Sequence, residues 1–93
     1  MLDLRQLRFF IGVAEELHFG RAAARLYITQ SALSRQIQSL EQALGVELLA
    51  RDHRSVRLTE PGQVLLDHAR ALLAHSQQVE AAIRSTFGQN FPG

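Results

Sequence analysis

The chain has 93 residues, of which 46% are hydrophobic, and a formal net charge of +1 at pH 7. This length fits one domain with a modest core, and no apolar run approaches the roughly 20 residues of a membrane-spanning helix. The chain contains no cysteine, which excludes a disulfide framework and a thiolate metal site. Because charged residues interrupt the apolar N-terminus, it does not resemble a secretory signal, and we expect a cytoplasmic location.

The distribution of charge is more informative than its sum. All ten basic residues are arginine, and eight of them lie in residues 1–58 beside six acidic residues. Residues 59–93 carry two arginines and three acidic residues. The planar fork of arginine suits phosphate and guanine contacts, although a genome rich in G and C produces the same preference for arginine.

Two short helices are predicted before residue 27. The first is indicated by apolar residues at helical spacing, namely Leu4, Leu7, Phe10, Ile11, Ala14 and Leu17. We expect the second to open at Gly20, and its narrow stripe of Ala22, Ala23 and Leu26 lets another helix approach closely. Thr29 is then a good N-cap for a third helix.

The third predicted helix has two opposite faces. One carries the apolar residues Leu33, Ile37, Leu40 and Leu44. The other carries Ser31, Arg35, Gln38 and Gln42, whose short or fork-shaped side chains suit base edges and phosphate oxygens in a major groove. Two helices joined by so short a turn predict a helix-turn-helix at about residues 19–38. A plain helical hairpin with a polar outer face is the alternative.

The residues after the third helix predict a hairpin and then a long helix. Gly45 is expected to end the third helix. Residues at about 48–58 have no helical period and carry Val56 and Leu58 in alternation, which favours a two-stranded hairpin with its tip near Asp52–Ser55, although a plain surface loop fits equally well. Thr59, followed by an acid and a proline, marks the start of a helix that runs to about residue 87. Residues 88–93 are expected to form a hinge-like tail.

This long helix carries an apolar seam that calls for a partner helix. The seam consists of Leu65, Ala69, Leu72, Ser76, Val79 and Ile83. It spans about 27 Å at 1.5 Å per residue, which three small helices are not expected to cover. The sequence therefore predicts a homodimer formed through this helix.

Several motifs in a fixed order resemble the N-terminal domain of LysR-type transcriptional regulators. They are the segments 4–10, 22–23, 29–37, 40–45, 48–51 with Arg54, and 58–62, and the resemblance spans roughly residues 2–87. It implies a mainly α fold, with a winged helix-turn-helix in residues 1–58 and a linker or dimerisation helix in residues 59–87. This sequence departs from the family where Gly20 replaces a Ser or Thr N-cap, Ser31 a frequent proline and Ala50 a common acid.

Nine residues are candidates for DNA contacts. From the helix face alone we select Gln30, Ser31, Ser34, Arg35 and Gln38 for the major groove. The resemblance implies that Gln30, Ser31, Ala32, Ser34 and Arg35 lie at the DNA and that Arg54, at the hairpin tip, enters the minor groove. Arg5 and Arg21 are candidates for phosphate contacts near helix starts, although exposed arginines without a function fit almost as well. Arg51 matches a second family arginine, with an internal salt bridge as its alternative role.

The sequence does not favour an enzyme or a metal site. It shows no phosphate loop, nucleophile elbow or convergent carboxylate pair, and His68 and His75 are seven residues apart, whereas ligands on one helix are three or four apart. We expect no cofactor in this domain. The resemblance implies a small-molecule effector only for a C-terminal domain that this sequence lacks, so we expect the chain to be part of a longer protein.

The leading function is sequence-specific binding of double-stranded DNA by a transcriptional regulator. We expect a dimer on a partly palindromic operator, with a tetramer as a further possibility for the full-length protein. The alternative is a helical dimerisation module that binds another protein through its polar helix face. Salt dependence separates the two, because counterion release weakens phosphate-driven binding steeply.

Overall fold

A computed structural model describes residues 2–88, which form four helices and a two-stranded hairpin. In chain order these are α1 (Leu4–Glu16), α2 (Phe19–Leu26), α3 (Gln30–Leu44), β1 (Leu49–Arg51), β2 (Val56–Leu58) and α4 (Glu60–Phe87). The predicted mainly α winged helix-turn-helix, followed by a long helix, is confirmed. None of the helices in these residues is long and apolar enough to cross a membrane.

The caps of α3 and α4 follow the sequence. The Thr29 hydroxyl accepts a hydrogen bond from the Ala32 amide at 3.1 Å, and the Thr59 hydroxyl accepts one from the Gly62 amide at 3.0 Å. Gly45 ends α3 with a φ of 72°, a left-handed conformation that glycine adopts without strain. These three predicted helix boundaries are confirmed.

The predicted boundaries of α1 and α2 need correction. α2 begins at Phe19 rather than at Gly20, because the Nδ1 atom of His18 accepts a hydrogen bond from the Arg21 amide at 2.9 Å and so acts as the N-cap. α1 ends at Glu16 and does not include Leu17, which turns into the left-handed region with a φ of 49°. The backbone N–H of Leu17 closes the helix by donating to the Val13 carbonyl.

The core lies between α1, α2 and α3, and the first turns of α4 pack against it. Its largest fully buried side chains are Phe10, Leu7, Leu33, Ile37, Leu40, Leu48 and Val13. α2 contributes the small residues Ala22 and Ala23, both buried, which let α3 pack closely. Leu33 and Ile37 point inward from α3, so the opposite face of that helix is left to solvent.

The hairpin is antiparallel, and its base is anchored to α3 and α4. Leu49 pairs with Leu58 and Arg51 with Val56, which leaves residues 52–55 as the turn. The Glu41 carboxylate accepts hydrogen bonds from the amides of Leu48 and Leu49, at 2.8 and 3.3 Å. These bonds fix the position of the wing relative to α3.

The expected absence of an intrachain partner for the α4 seam is wrong over its first turns. Ala69 is fully buried, and Leu65 packs partly buried against the core, because this part of α4 lies on the body of the domain beside α1. Ser76 is half-buried. Beyond the body, Leu72, Val79 and Ile83 are 44%, 50% and 56% exposed. Of the predicted hinge-like tail, residues 89–93 lie outside the described residues.

Candidate nucleic-acid interface

One face of α3 presents a group of exposed or half-exposed polar side chains. These side chains line a shallow depression together. The group consists of Gln30, Ser31, Ser34, Arg35 and Gln38. Arg35 is exposed and makes no side-chain hydrogen bond or ion pair with the described residues 2–88. Ala32 is half-buried at the edge of this face, where its amide is held by the Thr29 cap. The predicted α3 residues therefore lie together, and within residues 2–88 the polar side chains among them have no hydrogen-bond partner.

A second depression lies between the helix-turn-helix and the wing, and we call it the wing cleft. It has a volume of about 360 Å³ and is lined by residues 17–20, Gln30, Ser34 and residues 51–56. Because Gln30 and Ser34 line both depressions, the polar face of α3 continues without a break into the wing. This continuity brings Arg54 into the same surface as the α3 residues.

The turn of the wing is ordered by one carboxylate. Asp52 Oδ1 accepts hydrogen bonds from the amides of Arg54 and Ser55, at 2.8 and 3.0 Å. These backbone hydrogen bonds hold the pKa of the Asp52 carboxyl below its usual range. The turn therefore keeps its shape at neutral pH, and the exposed side chain of Arg54 projects from it.

Arg51, whose role the sequence leaves open, and His18, which the sequence does not single out, are further functional candidates. The guanidinium carbon of Arg51 lies 4.3 Å from the centre of the Phe19 ring, and Arg51 makes no ion pair within residues 2–88. The alternative of an internal salt bridge is therefore not what the structure shows. Both Arg51 and His18 line the wing cleft. No local pattern could reveal this, because Phe19 and Arg51 meet only in the folded chain.

Arg5 and Arg21 lie apart from this surface. Arg5 is on α1, with its guanidinium carbon 5.5 Å from the centre of the Phe9 ring. Arg21 donates to the Glu16 carbonyl at 3.2 Å, and its Nε atom is 3.6 Å from a Glu16 carboxylate oxygen. Neither arginine lines the α3 depression or the wing cleft. Their predicted phosphate contacts stay predictions.

Comparisons with known proteins agree on one family. Residues 4–63 match the model described as "Bacterial regulatory helix-turn-helix protein, lysR family". The chain is 51% identical over 89 residues to the HTH-type transcriptional regulator AlsR of Bacillus subtilis, which covers 95% of this chain and 30% of that protein. It is 59% identical over 73 residues to the uncharacterized HTH-type transcriptional regulator YnfL of Escherichia coli, covering 78% of this chain and 25% of that protein.

A solved structure shows the same fold. The crystal structure of a BenM_DBD/catB site 1 DNA complex has a TM-score of 0.87 and 42% sequence identity to this chain, covering 90% of this chain and 93% of that one. The chain spans between a quarter and a third of the length of the two regulators named above.

Proposed function

Because the chain belongs to the LysR family of bacterial regulatory helix-turn-helix proteins, we propose that it is the DNA-binding domain of a transcriptional regulator. The observation that carries the proposal is the polar face of α3, whose side chains are free to bind and continue into the wing. BenM_DBD, which has the same fold, was crystallised with DNA. In this proposal α3 enters a major groove and the wing lies over the adjacent minor groove.

Each side chain has a role that follows from its donors and acceptors. The fork of Arg35 matches O6 and N7 of guanine, and the amide of Gln30 or Gln38 matches N6 and N7 of adenine. Ser31 and Ser34 hydrogen-bond to bases or phosphates, and the methyl group of Ala32 suits a thymine methyl. Arg54 enters the minor groove, where a narrow A·T-rich stretch attracts a cation. Arg5 and Arg21 are assigned to phosphates at the margins of the interface.

The exposed part of the α4 seam supports a symmetric pair of chains. Leu72, Val79 and Ile83 follow one another at helical spacing and are about half exposed in the single chain. A second copy packed along this stripe, with Ser76 and the exposed part of Leu65 at its edges, removes their apolar surface from water. Ala69 is left out of this interface because its own chain buries it. A two-fold pair then reads a partly palindromic operator.

The functions assigned to the whole protein extend this proposal. The relatives are transcriptional regulators about three times the length of this chain, so we assign the response to a small-molecule effector, and any tetramer, to regions outside it. The domain binds DNA without metal or cofactor, performs no catalysis and acts in the cytoplasm. A chelator is therefore expected to leave its affinity for DNA unchanged.

The experiment is selection of duplexes from a random-sequence pool by the purified chain, followed by affinity measurements at several salt concentrations. We expect an enriched, partly palindromic sequence, and a logarithm of the association constant that falls linearly with the logarithm of salt concentration. If no sequence is enriched and a lysate protein binds with little salt dependence, the protein-binding module is the better account. In that account the polar face of α3 binds the partner protein.

A further inference from the structure

We propose that Arg51 and His18 form a binding site for a DNA phosphate in the wing cleft. The site shares its cleft with Gln30, Ser34 and Arg54, but its two side chains are not among those assigned above to DNA contacts. It rests on the proposed function of DNA binding. Its two side chains come from different elements: His18 caps α2 and Arg51 ends β1. Both line the same cleft.

The first half of the site is a guanidinium group held in place by an aromatic ring. The Arg51 group lies 4.3 Å from the centre of the Phe19 ring, and Phe19 is itself 7% exposed and fixed in the core. Contact with the ring face holds the cation in position but uses none of its N–H donors. Since Arg51 has no carboxylate partner within residues 2–88, these donors are free for an anion.

The second half is an imidazole whose tautomer is set by the fold. Nδ1 of His18 accepts a hydrogen bond from the Arg21 amide at 2.9 Å, so it carries no proton. In a neutral ring the proton then resides on Nε2, which becomes a donor on the far side from the helix. Nε2 has no hydrogen-bond partner among the described residues. A Cβ atom at Gly20 would lie 3.0 Å from Cε1 of this ring, so the glycine provides the room that the imidazole occupies.

The position of the cleft identifies its ligand. It lies between α3, which is assigned to a major groove, and the tip of the wing, which is assigned to a minor groove. A sugar–phosphate strand separates these two grooves, so that strand must cross the cleft. Asp52 also lines the cleft, but its Oδ1 atom faces the turn and accepts hydrogen bonds from the Arg54 and Ser55 amides and the Ser55 hydroxyl. Two free donors on the path of a phosphate strand point to a phosphate oxygen as their acceptor.

The test uses the duplex that the unchanged chain selects from a random-sequence pool. Arg51→Gln removes one charge, and Arg8→Gln, on the exposed part of α1 outside the cleft, is the charge-matched control. We expect Arg51→Gln to weaken binding by about tenfold or more and to reduce the slope of log affinity against log salt by about 0.9 for each phosphate lost. Arg51→Lys keeps the charge and is expected to keep the slope while losing affinity, because it lacks the fork. Arg8→Gln is expected to leave the slope unchanged.

The variant His18→Ser tests whether His18 only caps α2 or also binds a phosphate. The serine oxygen still accepts a hydrogen bond from the Arg21 amide, so α2 keeps its N-cap, but the donor in the cleft is lost. We expect unchanged thermal unfolding and about fivefold weaker DNA binding. If histidine is only a cap, this variant binds DNA as tightly as the unchanged chain.

Ethylation of single phosphates locates the contact. Ethylation of one phosphate in each half-site is expected to interfere with binding of the unchanged chain, and this signal is expected to disappear in Arg51→Gln while the others persist. If Arg51→Gln keeps the original salt slope and the full ethylation pattern, the site is refuted even though the chain binds DNA. If the unchanged chain selects no sequence at all, the proposed function itself fails.

Discussion

At the scale of single residues, Gly62 marks the closest approach between α4 and the base of the wing. A Cβ atom here would overlap the carbonyl oxygen of Leu48, and that oxygen is backbone that also accepts a hydrogen bond from the Thr59 amide. The absence of a side chain at position 62 therefore sets how tightly the first turn of α4 packs.

Gly62→Ala is expected to destabilise the domain by roughly 1–3 kcal/mol, because the backbone must shift to relieve the overlap. The matched control is Gly88→Ala, where a Cβ would meet only the Arg84 side chain at 3.7 Å in a right-handed helical conformation. Urea unfolding followed by circular dichroism measures both. Equal stability of the two variants would show that the close approach of Gly62 to the Leu48 carbonyl does not contribute to the stability of the domain.

The residues predicted from sequence were those whose roles depend on local spacing. Thr29, Thr59 and Gly45 were predicted correctly as caps, because each acts on atoms within four residues in the chain. The capping by His18 was missed, because an imidazole is an uncommon substitute for a serine or threonine cap. The stacking of Arg51 on Phe19 was missed for a different reason: 31 residues lie between them, and only the folded chain brings them together.

At the scale of elements, Glu15 joins three helices. From α1 its carboxylate contacts Arg25 of α2 at 2.6 Å and Arg70 of α4 at 2.9 Å. Hydrogen bonds from Arg70 and then Arg25 lower the pKa of Glu15 below its usual value. Because the pKa is lower in the folded chain than in the unfolded one, the carboxylate stabilises the fold above the unfolded pKa. This contribution is lost as the pH falls through the folded pKa.

Glu15→Gln is expected to lower stability at pH 7 by about 1 kcal/mol, since its partners are partly exposed and solvent weakens each pair. The difference between the variant and the unchanged chain is expected to vanish as the solution is acidified below the usual range of a glutamate pKa. Thermal melts across this pH range measure it. The control is Glu80→Gln, which removes an exposed pair with Arg84 within α4 and is expected to change stability less. A stability difference that persists at low pH would contradict the ion-pair explanation.

The α4 seam shows what a periodic pattern can and cannot indicate. Its spacing correctly predicted one long helix with an apolar stripe, but the pattern could not say which partner covers each turn. The structure divides the stripe, with Ala69 buried by its own chain and Leu72 onward left exposed. The length of α4 causes this division, because its second half extends past the body of the domain.

Glutamate at both Leu72 and Val79 is expected to give a folded monomer, because the substitutions place charge in the proposed interface between two chains. Glutamate at both Ala74 and Ala81 is the matched control, with the same spacing on the opposite, exposed side of α4. Sedimentation at micromolar concentration is expected to show a dimer for the control and for the unchanged chain. A monomeric unchanged chain would rule out the seam as the dimer interface.

At the scale of the whole molecule, the elongated shape places the proposed DNA-binding surface and the proposed dimer interface in different parts of the molecule. The chain measures 54 × 25 × 20 Å: its body carries α3 and the wing, while the exposed half of α4 projects from the body. In the proposed dimer, pairing through α4 leaves both α3 helices free to face DNA. The resemblance of the sequence to its family predicts a DNA-binding body and a dimerisation helix. That division, and the placement of each DNA-contacting side chain, stay predictions.

A two-fold pair of fixed geometry sets the spacing of the operator half-sites. We expect their centres to lie one helical turn of DNA apart, about 10.5 base pairs, or a multiple of it. Inserting five base pairs rotates one half-site to the opposite side of the duplex, and dimer binding is expected to be lost in a gel-shift titration. An insertion of ten base pairs is the control for added length alone. Unchanged affinity after the five-base-pair insertion would mean that the two α3 helices do not bind as a rigid pair.

The measurement that tests the central claim most directly compares base preference in Arg35→Ala and Gln42→Ala. Both side chains are exposed on α3, but only Arg35 lines the depression assigned to the major groove. Fluorescence anisotropy is measured on the selected duplex and on its single-base variants. Arg35→Ala is expected to cost about 1–3 kcal/mol and to abolish the preference at one base position in each half-site, while Gln42→Ala changes neither quantity. If Arg35→Ala keeps both the affinity and every base preference of the unchanged chain, the polar face of α3 does not read DNA.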